Sequence, residues 1–266
     1  MPFTSNIECI TIMNYRCPKC PPTENSILHT TDIGVQCSVC HSMYPQIDDT
    51  LLLLSNHEQW LSSQALMMLL RKDLSEPYVN FLLQNSLELR SAQKQLYSYL
   101  SAPKGTLHQW VDAHLAQQTG IIVDLGCGIG LHNRDYIIGV DANWTLLSRY
   151  PGKKIIADIG NPPFFANSID CILLLNVLDS HESPFFILQQ ADALLKKGGT
   201  ILFCSPFAWN DDITPPKEQC SPQQARHFFV SRGYSIEEEE HTWFIQNTPR
   251  SCTQYNVLAW AIHSNS

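Results

Sequence analysis

The stretch Val123-Asp-Leu-Gly-Cys-Gly-Ile-Gly130 restricts the fold of this chain more than any other. An apolar run ends there in three glycines at alternate positions, Gly126, Gly128 and Gly130. The run "IIVDLG" reads as a buried strand. Glycine is needed where a backbone turns with positive φ or passes close to a ligand. The N–H groups that follow such a turn favour a carboxylate or phosphate. The spacing is G-x-G-x-G, whereas dinucleotide sites use G-x-G-x-x-G, which weakens a nicotinamide or flavin reading.

The text after this loop repeats the theme. "YIIGVD", "KKIIAD", "DCILLLN" and "GTILFCS" are short apolar runs separated by loops or helices. Continuous apolar strands with helical connections indicate a parallel sheet covered on both faces. "PQQARHFFVSRG" predicts a helix with Gly233 at its C-terminal end. Two last strands, about Tyr234–Gln246 and Tyr255–His263, have no helix between them and should pair antiparallel. One connection is short: six residues, "LHNRDY", separate Gly130 from Ile137. A parallel crossover normally needs about a dozen residues, so a first helix of one turn or so is expected.

The N-terminal part differs. Cys17, Cys20, Cys37 and Cys40 form C-x2-C, sixteen residues, then C-x2-C. Two thiolates from each knuckle can complete a closed tetrahedron around zinc, which makes a structural zinc site the expectation. His41 could substitute as a ligand. Residues 56–118 read as helical: roughly His57–Arg71, with Trp60, Leu61, Leu66 and Leu69-Leu70 as its apolar face, then Pro77–Leu100, then Leu107–Gln117. Three regions result: a zinc module over 1–55, a helical segment over 56–118 that covers the ligand site, and an α/β domain over 119–266.

Composition narrows the function classes. Net charge is -8 and the pI about 5.6, which argues against a general nucleic-acid footprint without excluding a local basic groove. "LLLLS" and "CILLLNVL" are too short to span a bilayer, and the N-terminus lacks the basic and apolar regions of a signal peptide. The ten cysteines are therefore expected in a reducing cytoplasm. Those outside the knuckles (Cys9, Cys127, Cys171, Cys204, Cys220, Cys252) read mostly as small core residues.

"VDLGCGIG", "IGVDAN" and "ADIGNPPFFANSIDCILLLNVLD", in that order, resemble the class I S-adenosylmethionine-dependent methyltransferases over about residues 120–263. The resemblance implies a Rossmann-like sheet of mostly parallel strands with a final antiparallel strand. It implies S-adenosyl-L-methionine as cofactor. Asp124 and the backbone of Gly126, Cys127, Gly128 and Gly130 would cradle the methionine moiety. Asp141 would accept the ribose hydroxyls, for which a carboxylate offers two oxygens. Ala142 and Asn143 would flank the adenosine. Asp158 would take the adenine amino group, with Ile159 donating from its backbone. Asn176 and Val177 would lie beneath the methyl. Each acidic residue could instead be an ordinary strand-end turn residue, yet open α/β sheets bind ligands at those ends. "CPKC…CSVCHSMYPQIDD" resembles the zinc-binding activator subunit of tRNA, rRNA and release-factor methyltransferases, and a related module fused to bacterial methyltransferases. A looser likeness is to rRNA guanine methyltransferases with an N-terminal zinc motif.

Asp179 and His181, in "NVLDSHESP", stand where such enzymes contact substrate, and either could be a general base or a polar loop residue. Ser180 or Ser183 could cap the next helix, with Pro184 in its first turn. Phe207, Trp209, Asp211, Asp212, Trp243 and Arg250 would line an acidic, aromatic pocket. Three functions follow: methyl transfer to a small molecule, methyl transfer to rRNA or tRNA, or an inactive cofactor-binding subunit that docks a protein partner through the zinc module. The tetrapeptide Asn161-Pro162-Pro163-Phe164 matches the amine-gripping motif of some amino-group methyltransferases. It follows the third strand, whereas that motif follows the fourth. It is therefore expected to be a structural turn, with Phe164 packed near the adenine.

Overall fold

A computed structural model describes residues 15–57 apart from positions 23, 24, 33 and 48, residue 60, and residues 87–265 apart from position 133. Cys9 and most of the first predicted helix, with Leu61, Leu66 and Leu69-Leu70, lie outside the described residues.

The centre is a parallel set of β5 (Ile122–Leu125), β6 (Ile138–Asp141), β7 (Lys153–Ile156), β8 (Ile169–Leu175) and β9 (Leu195–Ser205). β8 is buried along almost its whole length, as a strand packed on both faces must be. β10 (Ser235–Thr248) and β11 (Ser251–His263) form an antiparallel hairpin, and β11 pairs antiparallel with β9. With β1 (Leu28–Thr31), β2 (Gly34–Cys37), β3 (Met43–Ile47) and β4 (Thr50–Leu52), the order is β1-β2-β3-β4-β7-β6-β5-β8-β9-β11-β10. This is the class I methyltransferase fold.

The cysteine-bearing strands are thus continuous with the main sheet. β4 pairs in parallel with β7, with Leu51 opposite Ile155 and Leu52 opposite Ile156. Leu52 and Leu53 are fully buried, so the end of the N-terminal module contributes to the common core.

Five helices are described: α1 (Leu87–Leu100), α2 (Thr106–Leu115), α3 (Trp144–Leu147), α4 (Pro184–Leu194) and α5 (Pro222–Val230). The α5 start is encoded locally. Ser221 Oγ accepts from the Gln224 N–H at 3.2 Å, and the Gln224 side chain accepts from the Ser221 N–H at 2.8 Å. Gly233 follows with φ +87°. α4 starts with Pro184 at its first turn, but Ser183 makes no side-chain cap bond. Its N–H instead donates to His181 Nδ1 at 3.0 Å. Among the described residues, no helix is long and apolar enough to cross a membrane.

The short crossover departs from expectation: among the described residues, β5 passes to β6 through turns, with no helix. The N–H groups of Gly126 and Cys127 both donate to Val140 O, at 2.8 and 3.1 Å. Buried His132 fills the space that helical packing would otherwise fill. Its Nε2 lies 2.9 Å from Tyr150 Oη and 3.4 Å from Asp124 Oδ2.

The Asn161–Phe164 turn is structural, and its role is docking. Pro163 O accepts from the Arg16 backbone N–H at 3.0 Å. The Phe164 ring is buried against Tyr15, with centroids 5.9 Å apart. Phe164 therefore packs against the N-terminal module and does not line the ligand cavity as expected.

Candidate functional site

The carboxyl ends of β5, β6, β7 and β8 surround a cavity of about 310 Å³. Its wall holds every expected cofactor residue except one: Gly126, Cys127, Gly128, Gly130, Asp141, Ala142, Asp158, Ile159, Asn176 and Val177. Asp124 is the exception. It is 2% exposed beneath the loop and faces His132, so it supports the loop instead of lining the cavity.

The loop needs its glycines. Gly126 has φ +71°, and a Cβ there would stand 2.2 Å from Val177 Cγ2. The backbone can therefore pass the end of β8 only without a side chain. Asp141 Oδ2 accepts from the Gly128 N–H at 2.8 Å, and Oδ1 from the Asn143 N–H at 2.7 Å. One carboxylate thus ties the loop to the end of β6, and each oxygen retains acceptor capacity toward the cavity. Burial raises this carboxyl above the usual range, and the two N–H groups oppose that rise. Asn143 caps α3, its Oδ1 accepting from the N–H groups of Thr145 and Leu146. Asp158 is exposed at the end of β7, where its Oδ1 accepts from the Gly160 N–H at 2.8 Å.

Asn176 ends β8 with φ +54°, a left-handed conformation uncommon outside glycine. Its Oδ1 takes the Cys204 thiol at 3.1 Å, while its buried Nδ2 has no partner among the described residues. A buried donor without an acceptor is unfavourable, and a ligand in the cavity would relieve it. Cys127 is buried, and its thiol is pushed well up by desolvation, which leaves a loop residue and no nucleophile.

Residues 123–203 match the family model of a methyltransferase domain. The chain carries a methyltransferase domain. No protein of curated function matches the sequence significantly. Among solved structures, the methyltransferase is similar to an S-adenosylmethionine-dependent enzyme of Thermotoga maritima described as a possible histamine N-methyltransferase. That match is 17% identical, covers 68% of this chain and 96% of the other, and has a TM-score of 0.43. It is also similar to an S-adenosylmethionine-dependent methyltransferase of Mesorhizobium loti, at 16% identity, 59% and 97% coverage and a TM-score of 0.40. The fold assignment itself rests on the strand order described above.

The rest of the methyltransferase cavity is walled by residues of distant segments. Gln95 and Tyr99 come from α1, Ser180 and His181 follow β8, and Trp243 comes from β10. Trp243 is 8% exposed and stacks on Tyr99 at 6.2 Å between centroids, with Tyr255 behind it at 5.4 Å. His181 and Trp243 were expected from the sequence; Gln95 and Tyr99 lay in a segment whose helical period gives no hint of which side faces a ligand. The segment after β9 does not join this wall. Phe207 packs on Phe203 and Trp260, Trp209 packs on Phe207, and Asp211 and Asp212 are exposed. Arg250 is exposed at the hairpin turn.

Of the two candidate bases, His181 lines the cavity, and Asp179 is half-buried and does not line it. His181 Nδ1 accepts the Ser183 N–H, so the neutral ring carries its proton on Nε2 and offers a donor. Asp179 retains acceptor capacity. Burial raises its carboxyl to about 6, against a bond from the Ala208 N–H.

At the other end, the Sγ atoms of Cys17, Cys20, Cys37 and Cys40 all lie within 4.8 Å of one another. Cys17 to Cys40 is 3.6 Å and Cys20 to Cys37 is 3.7 Å. Zn–S bonds of about 2.3 Å in a tetrahedron give sulfur edges of about 3.8 Å. The N–H groups of Val39 and Cys40 point at Cys37 Sγ, and Tyr44 Oη lies 3.1 Å from Cys17 Sγ. Such outer bonds orient thiolate ligands. These four cysteines can hold a metal ion, and exposed His41 stands outside the group.

Proposed function

We propose that the protein transfers the methyl group of S-adenosylmethionine to a small molecule, and that its cysteine cluster holds a structural zinc ion. The observation that carries the acceptor class is the chemistry of the cavity wall. Among the described residues it contains two aspartates, Asp141 and Asp158, and neither lysine nor arginine. A site that grips RNA phosphates would need cationic groups.

The cofactor supplies an activated methyl on a sulfonium centre. The chain's own task is to bind, orient and exclude water, because alignment contributes much of the rate in such displacements. Asp141 holds the loop and offers its oxygens to a diol. Asn176 Nδ2 offers a buried donor. Tyr99 and Trp243 give an apolar aromatic face to an acceptor, and their rings favour a flat or cationic one. His181 Nε2 presents a donor, and Asp179 is the group able to take a proton near neutral pH. The four thiolates leave no open position on a metal, as befits a structural site.

The test is transfer from labelled cofactor to fractionated metabolite and RNA pools. Label in a low-molecular-mass product supports the reading. Label confined to RNA moves the acceptor to rRNA or tRNA, and cofactor binding without transfer to any pool points to a docking subunit.

A further inference from the structure

We propose that Arg16 is a positioning residue for the adenine end of the cofactor site. Through it, the first cysteine knuckle fixes the turn that presents Asp158. The proposal rests on Asp158 as the acceptor for the adenine amino group.

Arg16 is 4% exposed. Its guanidinium joins two segments about 145 residues apart in sequence. Nη1 donates to Cys17 O at 3.3 Å and Cys20 O at 3.2 Å, inside the knuckle. Nη2 donates to Asn161 Oδ1 at 2.6 Å and Pro162 O at 3.2 Å, on the turn after β7. The contact is reciprocal, since Asn161 Nδ2 donates to Pro18 O at 2.9 Å. Among the described residues, no carboxylate forms an ion pair with this buried cation. Arginine's planar fork with five donors suits such a bridge, and lysine cannot reproduce it.

The turn it holds is the one that carries Asp158. The Asn161 N–H donates to Asp158 O at 3.0 Å, and the Gly160 N–H to Asp158 Oδ1 at 2.8 Å. One oxygen of Asp158 is thereby fixed, and the other is left for a ligand at the cavity wall. Pro162 and Pro163 stiffen the far side of the turn, so a shift at Asn161 is passed on toward Asp158. Arg16 does not line the cavity, so its effect on ligand must run through this turn.

The test compares two ligands on the full-length protein by calorimetry: S-adenosylhomocysteine, and the same molecule with the 6-amino group of its purine replaced by hydrogen. The wild type should prefer the amino form. Arg16→Gln and Asn161→Ala should each weaken the amino form about tenfold, a coupling of ordinary size, and leave the other ligand nearly unchanged. Arg16→Lys should not rescue. If Arg16→Gln does not fold, Asn161→Ala carries the comparison alone. Equal weakening of both ligands reduces Arg16 to a structural part and overturns the proposal, as does no weakening at all. A wild type that binds both ligands equally removes Asp158 from the adenine and sinks the underlying reading together with the proposal.

Discussion

The cysteine cluster and the cavity at the strand ends stand at two places on one sheet, and they are built in opposite ways. The cluster draws its four sulfurs from two short knuckles within 24 residues, Cys17 to Cys40. The cavity draws its wall from the ends of four strands, from α1 and from the β10–β11 hairpin. The first is specified by local spacing, and the second by the topology of the whole domain. The two are nevertheless joined, by β4 pairing with β7 and by Arg16 on the Asn161–Phe164 turn. A module that would read as an appendage is part of the edge of the main sheet.

The strongest way to break that contrast is to remove the metal site. Cys37→Ser, or a chelator, should destabilise the whole chain by more than about 3 kcal/mol, because structural metal binding is folding energy. Calorimetry should show one transition moving down. A second, unshifted transition for the cofactor domain would mean that the two regions fold independently. Gly126→Ala acts on the other region: strain at positive φ plus the clash with Val177 should cost about 3 kcal/mol, read as a lower Tm with cofactor binding lost. Wild-type affinity in that variant would contradict the loop geometry. His132→Ala should cost about 2 kcal/mol in urea unfolding, because buried Asp124 then loses one of its two side-chain partners and keeps only Tyr150. An unchanged midpoint would mean that the helix-free crossover does not depend on it.

The smallest effect is a pH dependence at Asp179. Its folded carboxyl, at about 6, lies above the ordinary value of about 3.9. The neutral form is therefore the one that favours the fold. Its contribution is full below about pH 4 and is lost as pH rises through about 6. Asp179→Asn should be more stable than wild type at about pH 8 and match it at about pH 4, read as a pH-dependent difference in unfolding midpoint. If Asp179 is also the base, transfer in the wild type should rise with pH through about 6, and the variant should lose that rise.

The contrast also explains what the sequence could tell. β5 to β9, the final hairpin, α5 with its capping box and the four cysteines all rest on local patterns, and each is found where the pattern puts it. What escaped was decided by tertiary contact. Nothing in "LHNRDY" says that His132 will replace a helix, since its partners Asp124 and Tyr150 lie 8 and 18 positions away. Phe164 is expected near the adenine because its turn follows the third strand, yet its ring faces Tyr15 of the other region. Phe207 and Trp209 follow β9 at the correct edge, but the positive φ of Phe207, +49°, accompanies packing on Trp260 and away from the cavity. Spacing identifies a strand end without stating which way the next side chain turns.

The most direct test is a calorimetric titration of S-adenosylmethionine into the wild type and Asp141→Ala. The geometry predicts one molecule bound per wild-type chain, with affinity lowered at least about tenfold in the variant, which loses both loop bonds and the diol acceptor. No binding to the wild type at high micromolar ligand, or equal affinity in the two proteins, would contradict the assignment of the cavity.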